Sequence, residues 1–104
     1  MELQVKSADR NLLLEISGEL DHHGARNALR EVEQAIDAAL PKKLVMDLSG
    51  VTFMDSSGLA VVLHLYRTCA RSGREFAVRG TPPQPQRVFD AAGLPQVIVF
   101  ERGE

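Results

Sequence analysis

Leu44-Val45-Met46-Asp47-Leu48 is a near-continuous apolar run of strand length, set between two stretches of helical period. A strand with one wet face alternates apolar and polar residues, whereas an unbroken run suits a strand covered by helices on both faces of a parallel sheet. Upstream, Ala25, Ala28, Leu29, Val32, Ala35, Ile36, Ala39 and Leu40 recur at i, i+3 and i+4 and predict a helix ended by Pro41. Downstream, the spacing predicts a second helix over 57–71 with Leu59, Val62, Leu63, Tyr66 and Ala70 as its buried stripe and Gly73 as its stop. Val61, Leu65 and Thr68 lie off that stripe, so this helix is either deeply packed, the commoner case, or offers a docking surface.

The remaining elements follow from the same periodicities. Leu12, Leu14 and Ile16 alternate against Leu13, Glu15 and Ser17, which reads residues 2–8 and 11–18 as a hairpin turning at Asp9-Arg10-Asn11. Glu75-Phe76-Ala77-Val78-Arg79 is a further strand. Thr81-Pro82-Pro83-Gln84-Pro85 opens a third helix through Val88, Phe89 and Ala92, closed by Gly93, and Val97-Ile98-Val99-Phe100 supplies a last strand. This order predicts an α/β fold: a mixed central sheet of about five strands with three or more helices, parallel at its centre and antiparallel at the opening hairpin. Whether the helices share one face is left open. With no repeat, linker or low-complexity tract, one domain over 1–104 is expected.

Composition excludes several classes. At 104 residues and 44% hydrophobic, the chain can bury a core without disulfides. The lone Cys69 removes any internal bridge and any Cys-rich zinc site, and suits a reducing cytoplasm. Glu2, Lys6, Asp9 and Arg10 interrupt any leader-like run, and nothing approaches the roughly 20 apolar residues of a membrane span. A net charge of −2 with one Tyr and four Phe gives neither a basic footprint nor a base-stacking platform, so no nucleic-acid or membrane partner is expected.

The chemistry concentrates in Phe53-Met54-Asp55-Ser56-Ser57-Gly58-Leu59, where an apolar strand breaks into an acid, two hydroxyls and a glycine before a helix. Ser57 then sits at the helix mouth, whose first amides lack acceptors and would receive a phosphate. Asp and Ser are also the preferred N-caps of any helix. A hydrolase reading fails locally, because a nucleophile elbow needs glycines where Asp55 and Leu59 stand. His22, His23 and His64 supply no evident base, and Asp21-His22-His23 is a poor metal site. With no phosphate-binding loop or dinucleotide fingerprint, neither a cofactor nor a metal is expected, nor an enzyme.

Gly18-Glu19-Leu20-Asp21-His22-His23 and the Asp55-Ser56-Ser57-Gly58-Leu59 segment, separated by one amphipathic helix and one buried strand, together resemble the bacterial anti-sigma factor antagonists of the STAS domain family. Arg87-Val88-Phe89-Asp90-Ala91-Ala92-Gly93-Leu94 resembles that family's third-helix signature, so the likeness covers nearly the whole chain. The double histidine is most similar to the sporulation branch, which opposes the anti-sigma F factor. The resemblance implies a partner switch. The unphosphorylated antagonist binds an anti-sigma factor that is also a serine kinase, a sigma factor is released, and phosphorylation of the second serine, here Ser57, ends the binding until a serine phosphatase reverses it. It further implies a docking surface of Asp21, His22, His23, Asp55, Ser56, Gly58, Val61 and His64. In it Ser56 caps the helix, Asp55 orients the turn, Gly58 admits the partner's backbone, and Val61 and His64 extend the face. Ala60, where close relatives carry another glycine, and Pro85, in the third helix's first turn, depart from the pattern. The alternatives are an antagonist in a stress-response system and a STAS module that binds a small ligand or nucleotide.

Overall fold

Asp9 and Arg10 both take positive φ (52° and 68°), the geometry of a two-residue hairpin turn. Strand β1 (Glu2–Ala8) therefore folds back antiparallel on β2 (Asn11–Leu20) from an Ala8–Asn11 pair. In the computed structural model, which describes residues 1–102, there follow α1 (His22–Ala39), β3 (Lys43–Met54), α2 (Ser56–Arg71), β4 (Glu75–Arg79), α3 (Pro83–Ala91), a 3₁₀ turn (Leu94–Gln96) and β5 (Val99–Glu101). The five strands stand in chain order, and every pair after the first is parallel.

That order decides where the helices go. Right-handed crossovers that always advance to the next neighbouring position put every helix on the same face of the sheet. The single core accordingly joins Leu12, Leu14 and Ile16 of β2, Leu44 and Met46 of β3, and Phe76 and Val78 of β4 to Val32 and Ile36 of α1, Val62 and Leu65 of α2, and Phe89 of α3. The expectation of cover on both sides of β3 is thus corrected. Val45 and Ala77 belong to the other face and are buried in a cross-strand row between Leu13 and Val99.

Two other boundaries differ from the sequence reading. Ser49 and Gly50 look like strand breakers, yet β3 runs on to Met54. It does so through two bulges, as its register against β2 steps from Glu15–Asp47 to Ser17–Gly50 and from Gly18–Val51 to Glu19–Phe53. At the other end, Val97 and Ile98 close the 3₁₀ turn, with both amides donating to Leu94 O, so β5 starts only at Val99. Helix α2 also rotates relative to the predicted stripe: Gly58, Val61, Val62, Leu65 and Cys69 are buried, while Leu59, Leu63 and Tyr66 are half-buried and Ala70 is exposed. It is wedged between α1 and α3 above β3 and β4, so both of its apolar stripes find partners.

Asp47 is the buried charge of the uncovered face, 9% exposed. One carboxylate oxygen accepts from the Ser49 amide (2.9 Å) and hydroxyl (2.7 Å); the other accepts from Arg79 Nε (3.2 Å) and Nη2 (3.1 Å). Burial pushes its pKa up, but the Ser49 hydrogen bonds and Arg79 together outweigh this and hold it below the usual value of 3.8. A depressed folded pKa means that the unfolded chain takes the proton first as pH falls. The stability Asp47 supplies is therefore complete above that value and lost as pH drops through the folded one. Asp47→Asn is expected to cost about 1.5–3 kcal/mol at neutral pH, the range for hydrogen bonds to a charged group. Urea denaturation should show the gap from the parent protein narrowing in acid; a gap unchanged by pH would refute the assignment.

Candidate functional site

The ends of β2 and β3 lie side by side because Leu20 pairs with Met54. The next residue of each strand, Asp21 and Asp55, has extended backbone and caps a helix. Asp21 Oδ1 accepts from the Gly24 amide at 3.0 Å, and Asp55 Oδ1 accepts from the amides of Ser57 (2.8 Å) and Gly58 (3.4 Å). The hydrogen bond from Gly24 is the main cause holding the Asp21 carboxyl below its ordinary pKa. Of the four Asp-x-x-Gly segments in the chain, the two that begin at Asp21 and Asp55 stand at these adjacent helix starts.

This geometry revises three expectations. The cap is Asp55, because its short carboxylate reaches two amides at once, and Ser56 is instead the exposed first residue of α2. His22 and His23 belong to the first turn of α1 rather than to a loop, with their rings edge to face at 5.9 Å. The amides of Ser57 and Gly58 are already bonded to Asp55, so the helix mouth does not hold them free for a phosphate. Ser57 itself is half-buried, and its hydroxyl makes no hydrogen bond among the described residues.

Gly58 is buried for an internal reason. A Cβ there would stand 2.4 Å from Met54 Cγ, 2.8 Å from Leu20 O and 3.0 Å from Leu20 Cγ, so the glycine lets α2 sit down on the ends of both strands. The expected role in admitting a partner's backbone has no exposed surface to act through. Gln84 of α3 holds the same corner from the opposite side: its Oε1 accepts from the Met54 amide (2.9 Å) and its Nε2 donates to Met54 O (2.8 Å). The side chain stands in for a neighbouring strand where β4 no longer runs beside β3.

Beyond this corner, α1 and α2 leave a groove of about 400 Å³ between them. His22, Ala25, Arg26 and Leu29 form one wall and Ser57, Ala60, Val61 and His64 the other. Val61 is 4% exposed and forms part of the core, so it lies in the floor of the groove instead of standing out as a contact. At the far end His64 Nε2 lies 2.9 Å from Glu33 Oε1 and joins the two helices. Asp21 and His23 look the other way, into a larger polar depression of about 830 Å³ beside Met1–Gln4 and Arg30. The structure therefore brings His22, Ser57, Val61 and His64 together and separates them from Asp21 and His23.

Arg26, Leu29, Ala60 and Gln84 were not among the expected residues. The first three were within reach of helical spacing: 22, 25, 26 and 29 on one helix and 57, 60, 61 and 64 on the other follow the same i, i+3, i+4, i+7 series. Gln84 carries no local signal, because its partner is 30 residues away. Among the described residues no cluster of His, Cys, Asp or Glu could hold a metal ion, and no helix is long and apolar enough to cross a membrane.

A family model for the STAS domain matches residues 2–103. The chain is 34% identical to the anti-sigma F factor antagonist of Paenibacillus polymyxa over 94% of its own length and 86% of that protein's. It is 28% identical to the anti-sigma-B factor antagonist of Bacillus subtilis, over 94% and 88% of the two chains. Its fold superposes with a TM-score of 0.76 on the Bacillus cell fate determinant SpoIIAA in the phosphorylated form, at 24% identity over 95% and 90% of the two chains.

Gly58→Ala tests the packed corner. Alanine would gain about 1 kcal/mol in helix propensity, but displacing the Leu20 carbonyl is a backbone overpacking of the kind that costs about 1–3 kcal/mol. A net loss of stability in chemical denaturation is expected; a stabilised variant would show the contact to be loose.

Proposed function

The chain belongs to the STAS domain family, and we propose that within it the chain is an anti-sigma factor antagonist whose switch is phosphorylation of Ser57 by an anti-sigma factor with serine kinase activity. The observation that carries this reading is Ser57 itself: half-buried at the second position of α2, its backbone tied to Asp55 and its hydroxyl uncommitted, on the wall of a groove between two helices. A residue so placed takes a modification without losing a structural bond. Higher identity to the relative named for sigma F than to the one named for sigma B favours the sporulation-type system over the stress-response one.

In this reading the unmodified protein docks its α1–α2 face on the anti-sigma factor, with His22, Ser56, Ser57 and His64 as contacts, Val61 beneath them and Asp21, His23 and Asp55 at the adjoining helix starts. Gly58 contributes by holding α2 in place. Binding displaces a sigma factor, and the protein serves as competitor and substrate, with no catalysis of its own. Phosphorylation adds about −1.5 to −2 charges beside Asp55. A hundredfold loss of affinity needs only about 2.8 kcal/mol, within the range of a charge placed in an interface. A serine phosphatase restores the binding form.

The test is to incubate the protein with an anti-sigma F-type kinase and ATP, map any phosphate by mass spectrometry and measure affinity before and after. One phosphate on Ser57 and a fall in affinity on the order of a hundredfold are expected. Ser57→Ala should bind and resist modification, and Ser57→Asp should bind weakly. No phosphate on Ser57, with the kinase active on a control antagonist, would overturn the reading.

A further inference from the structure

The groove beside Ser57 contains a cation that the fold does not use. Arg26 is exposed on the α1 wall, and among the described residues neither it nor His22 takes part in an ion pair, whereas His64 on the other wall is engaged by Glu33. The charged and titratable groups around Ser57 are thus His22 and Arg26 from α1, His64 from α2, and Asp55 at the cap. A phosphate on Ser57 cannot use the amides of Ser57 and Gly58 without displacing Asp55, and the carboxylate there repels it. The opposite wall offers a guanidinium, whose planar fork matches phosphate oxygens and whose long side chain suits the 8–10 Å typical between packed helix axes.

We infer that the α1–α2 groove is an internal phosphoserine seat, in which phosphate on Ser57 turns away from Asp55 and is bound across the groove by Arg26, with the His22 ring as a second donor. This rests on the proposed modification of Ser57 and adds to it a second way of ending partner binding. The modified side chain bridges α1 and α2 and occupies the groove that a partner would enter, so the switch acts by filling the site as well as by charge repulsion. The remaining polar contact across the groove, His64–Glu33, lies at its far end and stays in place. Arg30, one turn along α1 on the side of the other depression, is outside the seat.

The experiment inserts phosphoserine at position 57 during translation, so it needs no kinase, and follows the phosphate by phosphorus NMR across its second ionisation. Removing one cation at about 4 Å in a water-like dielectric is expected to raise that pKa by about 0.7 unit. Arg26→Gln should show this rise, and Arg30→Gln should leave the titration unchanged. Arg26 is exposed, so the unmodified Arg26→Gln protein should keep the parent's circular dichroism and melting temperature. An Arg26→Gln titration within about 0.2 unit of the parent, or an equal rise in Arg30→Gln, would overturn the seat. A kinase that fails to modify Ser57 while the Arg26 shift is present would overturn the proposed function and leave the seat standing; the reverse result would do the opposite.

Discussion

The contact of Gly58 with the Leu20 carbonyl is the constraint from which the rest of the site follows. It requires β2 and β3 to end level, which the Leu20–Met54 pair secures, and it requires a residue with no Cβ at the third position of α2. Once both hold, two capped helices leave the sheet from adjacent points and run side by side, with their parallel i, i+4 series facing each other. The groove is what remains between two helices whose starting points are this close. The bulges in β3 belong to the same construction, since they absorb the two residues by which β3 is longer than β2 and still bring Met54 opposite Leu20.

The one-sided sheet divides the labour between its faces. The helix-covered face holds the core. The other face sets the apolar row Leu13, Val45, Ala77 and Val99 among three ion pairs, Lys6–Glu15, Lys43–Glu101 and Arg79–Asp47. The first two are exposed pairs of the kind worth little to stability, while Asp47, buried and fully hydrogen-bonded, locks the start of the first bulge. On the helix side the balance differs: Arg26 has no ion-pair partner and the Ser57 hydroxyl no hydrogen bond among the described residues. Groups left uncommitted beside one another in this groove are where a change of charge can act without breaking a bond of the fold.

In the proposed switch, capping is what would let the fold tolerate such a change. The backbone at the start of α2 is satisfied by Asp55 from one side and Gln84 fixes the Met54 peptide from the other, so the turn bearing Ser57 is held by neighbours rather than by Ser57. A phosphate there would alter the surface of a corner whose backbone these hydrogen bonds already hold. The same arrangement limits what the helix dipole contributes, because the nearest amides are occupied and the favourable direction for a new negative charge is across the groove toward α1.

The element order, the hairpin, both amphipathic helices and the helix start within the Asp55–Gly58 segment were legible in the sequence, because periodicity and capping are properties of neighbouring residues. The matching helical series were also there to be read. The single helix-covered face was not, since it depends on the order in which strands add to the sheet, and an apolar strand such as β3 looks alike whether helices or neighbouring side chains shield it. Nor was the meeting of Arg26 with Ser57 across one groove, or of Gln84 with Met54. Those follow from the angle between two helices and from a contact spanning 30 residues, and only the packed chain brings such distant groups within reach of one another.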